Sequence, residues 1–219
     1  MIKANSPNPQ FFRDALVNLD GKWKFFSQSV DGVKEILVPY APESELSLIG
    51  YTDYINECEY EREFEISEPF TGQRLALKFG AVNYEAKVFL NGEAVGEHRG
   101  GYTPFECDIT LAARVGKNVL RVLVKNDLFA NVPSGKQSRE KESHGCFYTR
   151  VTGIWQSVWL ERTPLEYIKN VKFYPNIKTS SVKAEVTAEG AGDAIIDVYY
   201  NGVKVGSVCL SPRGDWRMP

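Results

Sequence analysis

Histidine is scarce in this 219-residue chain, limited to His98 and His144, and the four cysteines Cys58, Cys107, Cys146 and Cys209 stand apart without a CxxC pair. Metal centres built on Cys and His need those ligands at short, fixed spacing, so no metal site and no cofactor is expected. The cysteines read as reduced and structural, with one disulfide left open. An excess of charge of one sign is also lacking: 26 Lys and Arg stand against 28 Asp and Glu, for a formal net charge of -2. No global field draws such a chain to nucleic acid or to an anionic membrane, so neither is expected as a partner. Apolar runs long enough to cross a bilayer are missing, and the opening MIKANSPNPQ has no apolar signal-peptide core. The expectation is a soluble protein, cytoplasmic or periplasmic, with the compartment left unassigned. Helical stripes are absent too, apart from residues 111–115, a stretch too short to matter.

What is present is alternation. CEYEREFEI at 58–66 puts Cys58, Tyr60, Arg62, Phe64 and Ile66 on one face and glutamates on the other, the pattern of a strand with one side in water. Arg62 falls on the apolar side, where a guanidinium needs a carboxylate or carbonyl partner; a structural ion pair is expected rather than a ligand contact. RLALKF at 74–79 alternates again, and YEAKVFL at 84–90 runs into Asn91-Gly92, the dipeptide that suits a tight hairpin. NVLRVLVK at 118–125 reads as a strand, and GIWQSVWL at 153–160 as another, buried on both faces. Thr163-Pro164 breaks the pattern, because proline cannot continue a central ladder. Short strands follow at 168–174, 182–188, 195–200 and 203–210, the last two joined by Asn201-Gly202. The chain is therefore expected to be all-β. Residues 1–163 supply a closed two-sheet sandwich such as a jelly roll, and 164–219 supply about four strands where an immunoglobulin-like sandwich needs about seven.

Three matches to catalytic patterns fail. Gly135-Lys136 lacks the first glycine of a phosphate loop, which would fall on Ala130, and carries Gln137 where Ser or Thr is needed. Ser143-His144 beside Glu140 and Glu142 holds triad residue types, but adjacency in sequence is not triad geometry. Paired acids for glycoside hydrolysis need a set separation across a cleft, and the sequence singles out no pair. No catalytic residue is nominated.

Other segments are specific in order and spacing. They are LDGKWKF at 19–25, VPYAPES at 38–44, YEREF at 60–64, AVNYEAKVFLNGEAVGEHRGGYTPFECDIT at 81–110, PSGKQ at 133–137 and YTRVTGIWQSVWLE at 148–161. On these motifs the chain resembles the N-terminal sugar-binding domain of glycoside hydrolase family 2, the family of β-galactosidases, β-glucuronidases and β-mannosidases. The resemblance implies a galactose-binding-like jelly roll, then an immunoglobulin-like sandwich, then a TIM barrel with two catalytic glutamates. A barrel takes about 250 residues and lies outside this chain. What is implied is the non-catalytic N-terminal portion of a retaining glycosidase. Its partners would be a β-glycoside carbohydrate in the intact enzyme and the missing barrel, with homo-oligomerisation left open. The same resemblance turns Lys136, Gln137, Tyr148 and Arg150 toward the catalytic domain, as interface contacts before substrate contacts. Cys146, Phe147 and Tyr148 stand where some members carry an acid that touches sugar hydroxyls.

The residues themselves suggest local roles for the glycine-rich motif. Gly100-Gly101 turns the chain so that Tyr102 and Phe105 cap the core, Pro104 stiffens the bend, and Asp108 and Thr110 bond nearby amides at the turn into Leu111. Two other functions fit the architecture: an autonomous carbohydrate-binding module, which stacks exposed aromatics on sugar rings, and a scaffold of tandem sandwiches.

Overall fold

A computed structural model describes Arg13 and residues 16–211; the MIKANSPNPQ opening and the stretch from 212 onward lie outside the described residues. Strands come first as β1 Leu16–Asn18, β2 Gly21–Ser27, β3 Val30–Val38, β4 Glu57–Ile66, β5 Gln73–Phe79 and β6 Val82–Asn83. Then follow β7 Glu85–Leu90, β8 Glu93–Arg99, β9 Phe105–Asp108, β10 Gly116–Lys125, β11 Gly153–Ile154 and β12 Val158–Pro164. The last four are β13 Tyr167–Asn176, β14 Ser181–Glu189, β15 Ala194–Tyr200 and β16 Val203–Leu210. One helical turn, the 3-10 segment Glu45–Ser47, interrupts them. The 111–115 stretch forms turns, not a helix. Among the described residues no helix is long and apolar enough to cross a membrane.

The chain divides into two compact units between Arg162 and Thr163. The first is a β-sandwich. One sheet has the order β3-β2-β4-β10-β7-β8 and the other β1-β12-β5-β9, with β11-β6 as a short ribbon. Alternation dictates what each sheet buries. On β2, Trp23, Phe25 and Ser27 point inward while Lys22, Lys24 and Phe26 point out. On β10, Asn118, Leu120, Val122 and Val124 are buried opposite β4 residues such as Phe64, Arg62, Tyr60 and Cys58. Leu75, Leu77 and Phe79 of β5 and Val158 and Leu160 of β12 complete one continuous core between the sheets. Tyr60 sits at its centre, meeting Phe25 edge-on at 5.2 Å and Trp23 at 6.4 Å. The β7–β8 hairpin closes on Asn91 and Gly92, both at positive φ, 53° and 90°, which the two-residue turn requires.

The structure corrects several expectations. Residues 153–160 are not one strand: β11 pairs with β6, the chain leaves the ladder at Trp155–Ser157, and β12 begins at Val158. The Trp155 indole accounts for part of the break, since its Nε1 donates to the Gly101 carbonyl at 2.8 Å. Pro164 does not lie beyond the strand but is its last residue, where a missing N–H costs nothing in the ladder. Arg62 finds a carbonyl rather than a carboxylate, donating to the Lys22 carbonyl, and no ion pair forms to it among the described residues. Phe105 packs against the core, stacked on Phe79 at 4.7 Å and on His98 at 4.3 Å, whereas Tyr102 turns outward and is 44% exposed. The Asp108 carboxylate accepts from the Thr110 amide at 3.0 Å and from its hydroxyl at 2.6 Å, as the local chemistry suggested. It also pairs with Arg74 at 2.8 Å. The four thiols are free.

The second unit contains two hairpins, β13–β14 and β15–β16, the latter turning at Asn201 and Gly202 with φ of 48° and 81°. On the first hairpin Val171 lies opposite Val186 and Phe173 opposite Ala184 on one face, with Lys172 and Glu185 on the other. Among its described residues only Thr163 and Ala194 are buried.

Candidate functional site

The glycine-rich turn after β8 and the long connection from β10 to β11 meet at one end of the sandwich. Gly101 is required there by close approach: a Cβ at that position would lie 2.3 Å from the Asn83 side-chain oxygen. Asn83 in turn donates to the Val151 carbonyl at 2.5 Å, so the two loops are fastened to the same short strand. The Tyr102 hydroxyl donates to the Ser134 carbonyl at 2.7 Å and accepts from the Gln137 amide at 3.1 Å, while its ring meets Trp155 edge-on at 5.9 Å.

Of the four residues expected to face a substrate or an adjoining domain, the structure exposes two on this rim, Lys136 and Tyr148, and buries the other two, Gln137 and Arg150, beneath it. Lys136 is exposed, and its backbone carbonyl accepts from the Tyr148 amide at 2.9 Å. Tyr148 is 45% exposed, with its hydroxyl close to that of Tyr102. Gln137 is buried and spoken for: its side-chain oxygen accepts from the Val151 amide at 2.9 Å while its nitrogen serves Tyr102. Arg150 is 1% exposed and cannot reach an adjoining molecule without rearrangement. Its guanidinium donates to the carbonyls of Glu140, Thr52 and Lys141 and lies 4.9 Å from the centre of the Tyr54 ring. A buried Arg with a planar fork of donors is well suited to gather several carbonyls of an irregular loop, and that is its work here.

Sequence reasoning missed the group beneath the rim. Glu43, inside the VPYAPES motif, accepts from the Thr152 amide at 3.1 Å and leaves its second oxygen without a partner. Burial pushes its carboxyl above the ordinary value, against the opposing pull of the Thr152 hydrogen bonds and the Arg150 charge. An acid set among apolar residues and prolines in a loop was the available signal. The outer phenol is tuned in the same direction: burial and the hydrogen bond with Tyr148 push Tyr102 up, so the Tyr102 hydroxyl stays protonated at neutral pH.

Catalytic geometry is absent from this set. Ser138 Oγ and Glu140 Oε2 approach the same ring nitrogen of His144, at 3.4 and 3.7 Å. A relay needs the base and the orienting acid on opposite nitrogens, so these residues cannot form one. Ser138 Oγ instead contacts the carbonyls of Glu140 and Glu142, at 3.2 and 2.9 Å, and shapes the loop. The rim offers phenol hydroxyls, aromatic edges and an ammonium, which is the equipment of a contact surface.

Comparison with known proteins agrees with this architecture. Residues 49–164 match the family model for the sugar binding domain of glycosyl hydrolases family 2. A β-galactosidase from Thermoanaerobacter pseudethanolicus is 34% identical over 146 residues, covering 65% of this chain and 19% of the relative. A β-glucuronidase from Bacteroides fragilis is also 34% identical, over 180 residues, covering 78% of this chain and 25% of the relative. Among solved structures, the β-D-glucuronidase of Dictyoglomus thermophilum superposes with a TM-score of 0.71 at 24% identity, covering 94% of this chain and 40% of that one. That last likeness speaks for the fold alone. The chain thus spans a quarter or less of the length of these two curated relatives, and it aligns with a non-catalytic N-terminal portion. It belongs to glycosyl hydrolases family 2, of which it carries the sugar binding domain.

Proposed function

We propose that this chain serves as the N-terminal accessory part of a glycosidase acting on β-linked sugars, and that its loop rim docks on a catalytic barrel supplied by further polypeptide. The match of residues 49–164 to the family's sugar binding domain carries this reading. In it, Tyr102, Lys136 and Tyr148 make the contact, while Gln137 and Arg150 hold the loop that presents them. The second unit is the beginning of an immunoglobulin-like sandwich, a reading supported by its two hairpins with one apolar face each. The substrate class is a β-glycoside, as the names of the relatives suggest for the intact protein.

The test is turnover of nitrophenyl β-galactoside and nitrophenyl β-glucuronide by the 219-residue chain. None is expected, and robust hydrolysis by this chain alone overturns the proposal. In the longer protein, Tyr148→Ala and Lys136→Ala are expected to lower kcat/KM while leaving the sandwich as resistant to urea as before.

A further inference from the structure

Phe26 is the most conspicuous side chain that the fold does not explain. It is the out-facing aromatic near the end of β2, flanked by the buried Phe25 and Ser27, and it stays 47% exposed on the outer sheet face. Register places it in a transverse row: Phe26 lies opposite Glu59, Glu59 opposite Leu123, and Leu123 opposite Lys87. With neighbouring strands about 4.8 Å apart, this row runs about 14 Å across the sheet. It floors a concavity of about 480 Å³, also lined by Gln28 and Lys125. A second concavity of about 480 Å³ adjoins it and shares Gln28, Glu57 and Lys125. Together they are of the size that takes a small-molecule ligand.

The charges of this groove are arranged in an informative way. The Glu59 carboxylate is engaged by Arg121 at 2.7 Å, Glu85 by Arg99 at 3.1 Å and Glu57 by Lys125 at 3.7 Å. Each paired acid keeps lone pairs free and each paired cation keeps N–H donors free. The surface therefore presents donors and acceptors side by side with little net field. Gln28 and Lys87 add an amide and an ammonium that engage no other described residue. A polyanion would meet the glutamates and a polycation the lysines. A chain of hydroxyls, each able to donate to a carboxylate and accept from its cationic neighbour, meets no such penalty. The negative face of the Phe26 ring suits the C–H face of a pyranose.

We infer that the outer face of the six-stranded sheet binds a neutral oligosaccharide, with Phe26 as the stacking platform and Gln28, Glu59 and Lys87 as hydroxyl partners. This site shares no residue with the loop rim and does not depend on the docking role proposed for it.

The experiment is a two-dimensional amide NMR titration of the 219-residue chain with xylotetraose, cellotetraose and galactotetraose at millimolar concentration, and with tetragalacturonate as an anionic control. At least one neutral probe is expected to shift the amides of Phe26, Glu59, Lys87 and Leu123 together. Phe26→Ala is expected to weaken binding about tenfold, the size of one aromatic contact, and Lys87→Ala to weaken it less. Both positions are exposed, so unchanged urea midpoints will show that the variants remain folded. Absence of shifts with every probe overturns the inference, as do shifts that survive Phe26→Ala, shifts confined to the rim, or tighter binding of tetragalacturonate. Each of these results leaves the docking proposal standing, because that one is read in turnover and not in sugar binding.

Discussion

The two units of this chain use the same local vocabulary and reach different ends. Both are antiparallel, and both turn hairpins on Asn-Gly pairs at positive φ, Asn91-Gly92 in one and Asn201-Gly202 in the other. In the first, the apolar side of every long strand faces another sheet, and side chains as large as Phe25, Tyr60 and Phe79 are fully buried. In the second, Phe173, Val198, Tyr199 and Val205 remain exposed. Strand formation follows from alternation and turn residues, which act locally. Burial requires a second layer at sandwich spacing, about 10 Å away, and local pattern does not create one. A hairpin with one apolar face is therefore only half a statement about structure.

The sharpest way to break this comparison is to cut one aromatic from each unit. Phe25→Ala removes a fully buried ring in contact with Tyr60 and is expected to cost about 3 to 5 kcal/mol. Urea denaturation followed by tryptophan fluorescence will measure it, since three of the four tryptophans, Trp23, Trp155 and Trp159, lie in the first unit. A loss under about 1 kcal/mol would mean that the core is not packed as described.

Next in size is the rim. Arg150→Met keeps the apolar stem but removes the donors to the carbonyls of Glu140, Thr52 and Lys141. A loss of about 2 to 3 kcal/mol is expected, with faster amide exchange across the loop that ends at Arg150. Exchange unchanged in that loop would contradict the gathering role. Gly101→Ala should cost about 2 kcal/mol, because its Cβ would press on Asn83, whereas Gly92→Ala meets open space and suffers only the backbone strain of its positive φ.

A smaller effect tests the acid beneath the rim. Because burial raises the Glu43 carboxyl, the folded chain holds a proton that the unfolded chain has released at the same pH. Stability attributable to this group therefore falls as pH rises from the ordinary carboxylate range through the raised value. Glu43→Gln is expected to flatten that descent, seen as urea midpoints that depend less on pH in this window. The acid limb should persist in the variant. Asp108 is partly buried, which raises it, but Thr110 and Arg74 outweigh this and hold it low. Its contribution is present above the ordinary carboxylate value and lost as pH falls through the lowered one.

Much of the fold was legible because period two and Asn-Gly turns are backbone chemistry written directly in the residues. Strands at 58–66, 74–79 and 118–125 needed nothing more. The division of 153–160 into β11 and β12 was not legible, since it depends on Trp155 reaching the Gly101 carbonyl from far along the chain. The site shows the same limit. Tyr148 and Lys136 look like surface residues and are, but Arg150 carries the same polar signature and lies buried. Only the positions of Thr52, Glu140 and Lys141 distinguish an Arg that gathers a loop from one that greets a partner, and those positions are tertiary facts.

The smallest expected effect is the most telling for the comparison. Phe173 is 62% exposed, opposite Ala184 on a hairpin face that no described residue covers deeply. Phe173→Ser should therefore change the stability of this chain by less than about 0.5 kcal/mol, measured by amide exchange across β13 and β14. The same substitution removes apolar surface from a patch that also includes Val182, and exposed apolar patches drive association. Self-association at high concentration, followed by light scattering, should fall. If Phe173→Ser instead loosened the hairpin as strongly as Phe25→Ala weakens the sandwich, the second unit would possess a core of its own. The contrast between a folded layer pair and two hairpins with exposed apolar faces would then collapse.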